Sequence, residues 1–408
     1  MEDVVIIGAG AAGCFAAAIL GNLCPSLRIV LLEKTRQPLA KVKISGGGRC
    51  NVTHHCFDVK ALIENYPRGK DFLRSCFMQF QPRDMIQWLE EKGVSLKVES
   101  DGRMFPVTNR SQTIIDCLLT CLQKQGASLL LEQEVVEMQY KEGKWYVKTR
   151  GGTSLESHAV LVSTGGSGKM LDLLAQMGIP LEPSLPSLFT FTCKEEWLHM
   201  LSGSTVPQAI ISLHGTRFSY QGPLLITHWG LSGPAILKLS AFAAKELAQM
   251  HYHATILVNW TGEKESTVQD KLLEAKKQQG SKPVMTTPLF SLSKNLWRAI
   301  VFQAHLPEEK NWSQVSSREL QDLKETLIRS HFTMVGKSTN KEEFVTCGGV
   351  SLQEISQKTM ESKRFPGLYF AGEVVDIDGI TGGFNFQNAW TGAFVAAQGI
   401  ARQLQGYT

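Results

Sequence analysis

The chain has 408 residues, with 43% hydrophobic and 20% charged side chains. This is ordinary globular usage and excludes collagen, a disordered chain or a disulfide miniprotein. A net charge of +4 is too weak to imply a nucleic-acid partner by itself.

At roughly 100–200 residues per domain, two or three domains are expected. The nine cysteines are scattered with no Cys-x-x-Cys pair, which reads as reduced thiols in a cytoplasmic protein. Glycine is in excess, 36 of 408 residues against roughly 7% in average usage.

The run from Val4 to Leu27 carries no charge and is long enough to resemble a membrane span. Gly8, Gly10, Gly13, Gly21, Asn22 and Pro25 interrupt it, and Glu2 and Asp3 precede it. Neither feature fits a span or a signal peptide. A βαβ unit explains the run better. Val4 to Ile7 is a β-branched strand, and Gly8-Ala-Gly10-Ala-Ala-Gly13 is a G-x-G-x-x-G turn. Cys14 to Leu20 reads as a helix, and Arg28 to Leu32 as a second strand ending at Glu33.

Each part of that unit has a physical job. Gly8 permits the tight turn, Gly10 admits a pyrophosphate, and Gly13 lets helix and strand pack closely. The helix N-terminus offers free N–H groups to phosphate. Glu33 is placed to accept from a ribose hydroxyl, which fits FAD or NAD and disfavours NADP.

Between Glu33 and Asp58 there is no acid, but there are five cations: Lys34, Arg36, Lys41, Lys43 and Arg49. Within that stretch, Ser45-Gly46-Gly47-Gly48-Arg49-Cys50-Asn51 reads as a loop for an anion or a flavin edge. Cys50 and Cys56 lack the spacing of a catalytic dithiol, and Cys117 and Cys121 read as packing on a helix.

Further along, Phe72 to Gly93 and Thr113 to Gly126 read as helices, and Ser128 to Tyr140 as strand. Ala159 to Val162 is a buried strand leading into Ser163-Thr164-Gly165-Gly166. Strands follow at 209–213 and 223–227. His228 is placed between a strand and a helix, where it could donate a proton beside a flavin. Ser316-x-x-Glu319 is a capping box, and Phe344 to Gly349 leads back to the nucleotide domain.

Near the C-terminus, Gly367 to Phe370 is a strand followed by Gly372, Glu373 and Asp376. Then Gly382-Gly383 opens a small-residue helix. Its N-terminus would favour the negative charge that develops on a reduced flavin. This second strand-plus-acid lies about 340 residues after Glu33, which selects FAD over NAD.

These motifs resemble the YhiN/BaiN-type flavoproteins, the NAD(P)/FAD-dependent, aminoacetone-oxidase-type oxidoreductases. The matching pieces are residues 43–53 (KISGGGRCNVT), 227–240, 347–355 and 367–390, together with the N-terminal fingerprint. The resemblance implies an α/β fold: a split Rossmann-like FAD-binding domain with an inserted β-barrel-like domain and a small helical subdomain. It also implies a redox flavoprotein, in a family linked to bile-acid reduction and amine oxidation. One departure is a shortened stretch after Gly166, which runs almost directly into the helix 169–177.

The expected domains are 1–187 with 345–408, 188–262 with 331–344, and 263–330. Gly8, Gly10, Gly13 and Glu33 are assigned to the AMP half of FAD, and Arg49, Gly372, Glu373, Gly383 and Asn385 to the flavin half. Further candidate contacts are Ala11, Ala12, Lys34, Lys43, Ser45, Gly46, Gly48, Cys50, Asn51, Val135, Thr164, Gly165, Gly166, Asp376, Asn388 and Ala389. The expected activity is hydride transfer between flavin and a small molecule, with NAD(P)H as a transient donor and neither nucleic acid nor membrane as partner. Two alternatives stand beside it: a flavin-dependent RNA-modifying protein, and an FAD-binding protein without turnover. The oligomeric state is left open.

Overall fold

The computed structural model describes residues 2–338 and 345–406. Phe344, where the returning strand was expected to begin, lies outside them. The chain divides into two compact units, residues 1–186 with 345–408, and residues 187–344.

The first unit is built on a seven-stranded sheet. Its parallel part is β1 (Glu2–Ile7), β2 (Ile29–Leu32), β6 (Ser128–Leu130), β9 (Ser154–Val162) and β18 (Leu368–Phe370). Parallel strands bury both faces and therefore read as unbroken apolar runs. Val4, Val5 and Ile6 are accordingly 0% exposed. β7 (Val135–Lys141) and β8 (Lys144–Thr149) extend the sheet antiparallel through β9. A small sheet joins β3 (Thr53–His54), β4 (Leu96–Val98) and β5 (Arg103–Pro106). Finally β10 (Leu181–Ser187) pairs with β17 (Val345–Val350).

The helix Ala11–Leu23 follows β1 directly and packs on the last helix, Phe384–Gln405. Small residues on both allow close approach, and Phe15 meets Trp390 edge-on at 5.5 Å. The run expected to be one helix from Phe72 to Gly93 is two, Lys70–Phe77 and Pro82–Glu91. Proline has no N–H to continue a helix, and here it begins the second one. The strand expected from Ser128 to Tyr140 is also broken, between β6 and β7.

The second unit is a closed six-stranded barrel. Its strands are β11 (Thr190–Cys193), β12 (Thr205–Leu213), β13 (Ser219–Thr227), β14 (Gly230–Ser232), β15 (Ala254–Asn259) and β16 (Ser330–Ser338). Closure removes the sheet edges that would otherwise invite aggregation. Helices Glu265–Gln278, Lys294–Gln303 and Ser317–Ile328 share one apolar core with the barrel, including buried Trp260, Trp297 and Trp312. Ser316 caps the last of these as expected, accepting from the Glu319 N–H at 3.2 Å.

The α/β architecture, a split Rossmann-like domain with an inserted barrel, is the one expected from sequence. The apparent span Val4–Leu27 is β1, the glycine turn and the first helix. No helix among the described residues is long and apolar enough to cross a membrane.

Candidate functional site

The three fingerprint glycines have separable jobs. Gly8 has φ +101°, and a Cβ there would lie 2.7 Å from the Ser163 carbonyl oxygen. A Cβ on Gly13 would lie 1.9 Å from the Gly8 carbonyl oxygen. Gly10 differs: its φ of −84° suits any residue, and nothing lies within 4 Å of where its Cβ would be. Neither backbone conformation nor packing requires glycine there, so the protein leaves open space at that point.

Gly10 is also the N-cap of Ala11–Leu23, with no side-chain cap. The first-turn N–H groups of Ala11, Ala12 and Gly13 have no intrahelical acceptor by helix geometry. Free N–H groups, a positive helix end and open space together fit a pyrophosphate. Ser163 Oγ donates to the carbonyls of Ile7 (3.0 Å) and Gly8 (2.9 Å), pinning the turn to the end of β9.

Glu33 braces the same turn. Its Oε2 accepts from the Ala9 N–H at 3.1 Å, and its Oε1 from the Thr35 N–H and hydroxyl, both at 2.9 Å. A carboxylate has about four acceptor sites, so capacity remains for a ribose hydroxyl. The Gln133 N–H donates to the Glu33 carbonyl at 2.8 Å, which brings the start of β7, with Val135, toward this end. Lys34 is exposed.

The cationic glycine loop departs from expectation. The helix Ala40–Gly48 is interrupted at Ser45, Gly46 and Gly47, and Gly46, Gly47 and Gly48 all have positive φ. Three of the five cations are already neutralised by distant acids. Arg36 binds Glu132 at 2.8 Å, Lys41 binds Glu373 at 2.5 Å, and Arg49 binds Glu99 at 2.6 Å. Arg49 also lies over the Phe105 ring at 4.0 Å, so part of its charge is balanced within the protein. Lys34 and Lys43 have no side-chain partner among the described residues.

Ser45 Oγ donates to the Val42 carbonyl at 2.8 Å. Cys50 is buried, and burial pushes its thiol up to about 12, which leaves it inert. The Asn51 amide bridges outward, donating to the Thr53 carbonyl at 3.1 Å and accepting from the Gly383 N–H at 2.9 Å.

The C-terminal block converges on the same unit. Glu373 accepts from Lys41 through Oε2, and from the Thr346 N–H at 3.1 Å through Oε1. A Cβ on Gly165 would lie 3.3 Å from Glu373 Oε2, and one on Gly166 3.6 Å from Oε1. Gly165, Gly166 and Glu373 therefore meet, with Thr164 beside them.

Two other candidates are committed elsewhere. Buried Asp376 accepts from the Gly348 N–H at 3.0 Å. Asn385 accepts from the Gly379 N–H and donates to its carbonyl, both at 2.8 Å. Both hold loops rather than offering free groups to a ribitol or flavin.

The last helix begins at Gly383, φ +93°, with no side-chain cap. Gly372 and Ala389 approach each other beneath it. Asn388 is 3% exposed and has no side-chain hydrogen bond among the described residues. Its amide is not among the enclosed unpartnered polar atoms, so it reaches the surface and is available to a polar ligand. The open space at Gly10, the two uncapped helix ends and Asn388 are what an FAD needs along its length.

Sequence reasoning missed His54 and the Arg68–Asp378 pair. His54 Nε2 lies 3.1 Å from the Asp101 carbonyl, its ring stacks on Phe384 at 4.6 Å, and its Nδ1 is enclosed without a partner. Burial lowers its pKa. Arg68 forms a two-pronged pair with fully buried Asp378. Burial opposes the charge on Arg68, and the Asp378 contact more than offsets it, so the pKa is raised. The partners are 310 residues apart, so no local pattern could have paired them.

His228 is not between a strand and a helix. It sits on the two-residue turn of the β13–β14 hairpin in the second unit, exposed beside Trp229. Gly230 to Ser232 pairs with β13 and β11, so a strand precedes the helix Pro234–Phe242.

Comparison with known proteins agrees with this architecture. Residues 2–399 match the family described as HI0933-like protein Rossmann domain. The chain is 30% identical to the ribosomal RNA dihydrouridine synthase of Escherichia coli (strain K12), covering 98% of each chain. It is 24% identical to the 3-dehydro-bile acid delta(4,6)-reductase of Clostridium scindens, covering 99% of this chain and 100% of that one. In fold it is similar to the 3-ketosteroid delta1-dehydrogenase of Sterolibacterium denitrificans (TM-score 0.52, 13% identity, 98% and 99% of the two chains). The chain belongs to the HI0933-like Rossmann family and is a flavoprotein oxidoreductase.

Proposed function

We propose that the protein is an FAD-dependent reductase of a carbonyl-conjugated C=C bond, and that its substrate is a uridine in ribosomal RNA. The observation that carries the cofactor is the unfilled space at Gly10 beneath an uncapped helix end. The reaction class is supported by the two relatives' names. Dihydrouridine is uridine with its ring double bond saturated, and a 3-dehydro delta(4,6) substrate carries double bonds conjugated to a ketone. The more similar relative, matched over nearly its full length, is the one that acts on RNA. Its name puts the RNA alternative ahead of the small-molecule reading.

Bound FAD supplies hydride transfer. The second atom added to the double bond is a proton taken from solvent, and the chain's residues bind and orient the cofactor. The N–H groups of Ala11, Ala12 and Gly13 would hold the pyrophosphate, and Glu33 would orient the ribose. The N-terminal end of the last helix and the Asn388 amide would serve the flavin half, where a helix dipole favours negative charge. NAD(P)H is the proposed electron donor. The free thiols fit a cytoplasmic setting.

The test is reduction of an unmodified ribosomal RNA transcript by the holoprotein with NADH or NADPH, read as dihydrouridine by nucleoside mass spectrometry. Product with either donor supports the reading. No product, with the bound flavin reducing normally and reoxidising on a steroid dienone, sinks it in favour of a small-molecule reductase. The 24% identity to a bile-acid reductase is what favours that second reading. A flavin that no donor reduces would leave a binding protein without turnover.

A further inference from the structure

The barrel unit holds a cavity of about 330 Å³ that the site above does not use. Its size is at the lower end of the range of about 300–1,000 Å³ usual for small-ligand sites. Trp197, Gln303, Glu325, Arg329 and His331 wall it, all within residues 187–344.

The wall groups have complementary roles. Trp197 offers a half-buried aromatic face, steadied by Phe332 at 5.5 Å between ring centroids. Gln303 ends the helix Lys294–Gln303, and its amide has no partner among the described residues. Arg329 is held flat by Glu325 at 2.9 Å and Glu265 at 3.1 Å through its two terminal nitrogens. Its Nε donor has no partner among the described residues. His331 adds an exposed imidazole.

This chemistry narrows the occupant. A hydrocarbon would leave the Gln303 amide and the Arg329 Nε donor without a partner. A bare anion would face Glu325. A planar heterocycle with mixed donors and acceptors satisfies all of them. It stacks on Trp197, pairs its amide-like edge with Gln303, and leaves the Arg329 Nε and His331 for the sugar. A second cavity of about 220 Å³ shares Arg329 and is floored by Ile210 and Leu257, which gives room for a neighbouring sugar or base.

We propose that this cavity is a nucleobase subsite, seating one base of an RNA strand or of a free pyrimidine nucleotide. For the RNA source it rests on the function proposed above; for the free nucleotide it does not.

The test compares the FAD-loaded protein with W197A, W197F and Q303A, each checked for unchanged flavin content and thermal midpoint. The probes are a labelled single-stranded oligouridylate, read by anisotropy, and UMP, read by calorimetry. W197A is expected to weaken oligouridylate binding about tenfold, the loss of one base–aromatic stack. W197F recovers most of that loss, and Q303A costs less than W197A.

Weakened UMP binding alongside the oligonucleotide assigns the site to free nucleotides as well; weakened oligonucleotide binding alone assigns it to the strand. The proposal is overturned if the parent binds neither probe, or if W197A binds both within about twofold of the parent. A protein that forms no dihydrouridine but whose UMP binding still depends on Trp197 loses the proposed function and keeps the subsite.

Discussion

At Gly8 and Gly13 an added Cβ would collide with backbone, at 2.7 Å and 1.9 Å, whereas at Gly47 and Gly48 it would meet nothing within 4 Å. The first pair is glycine because strand, turn and helix leave no room. The second pair is glycine because the chain turns left-handed there, at φ +67° and +80°. Gly10 belongs to neither class, with ordinary φ and empty space. The lesson is that a glycine motif mixes steric, conformational and ligand-imposed requirements. Only the last marks a binding site.

Single substitutions separate the three classes. Gly13→Ala should be the most damaging, costing about 3 kcal/mol or more because backbone must move to admit a methyl group. Denaturant unfolding checks it, and a near-native midpoint would break the steric assignment. Gly10→Ala should cost about 1 kcal/mol of stability at most, yet weaken FAD at least tenfold, about 1.4 kcal/mol. Titrating the apoprotein with FAD reads that split, and equal affinity would remove Gly10 from the cofactor site. Gly47→Ala should cost about 1–2 kcal/mol through its left-handed backbone, again by denaturant unfolding.

Smaller effects test the surroundings of the second loop. Lys41 is two-thirds exposed, so its pair with Glu373 is worth about 1 kcal/mol or less. Glu373→Gln should therefore unfold at nearly the parental midpoint while loosening FAD, through the loss of order at Gly165 and Gly166. Parental FAD affinity in that variant would detach the pair from the site.

His54 gives the smallest effect, one of pH. Burial holds its folded pKa below the ordinary histidine value of 6.5, so the unfolded chain takes up the proton first. The stability contributed by neutral His54 is complete above 6.5 and falls as pH drops from there through the folded pKa. His54→Gln should flatten that decline, and the same slope in parent and variant would contradict it.

Much of the first unit was legible because its requirements are local. β1, the fingerprint, the first helix and Glu33 all lie within 33 residues, and their spacing encodes their contacts. The ion pairs of the glycine loop were illegible for the opposite reason. Five cations without a nearby acid looked available for an anion, but Arg49 finds its acid 50 residues away and Lys41 finds its acid 332 away. The helix expected from Phe72 to Gly93 ignored Pro82, a signal that was present in the sequence. The placing of His228 failed because strand pairing across the barrel, not local propensity, made Gly230 to Ser232 a strand.

From sequence alone came the family resemblance, the α/β class, the split of the nucleotide-binding domain around an insertion, and the glycine cradle. Their signals are periodicity and spacing, which a linear chain carries intact. Tertiary structure decided which candidates are free to act. Asp376 and Asn385 are tied to backbone, Arg49 is tied to Glu99, and Asn388 keeps an amide with no side-chain hydrogen bond among the described residues. Whether a polar group is spent or available depends on what folds against it, and those partners come from parts of the chain that no local pattern links.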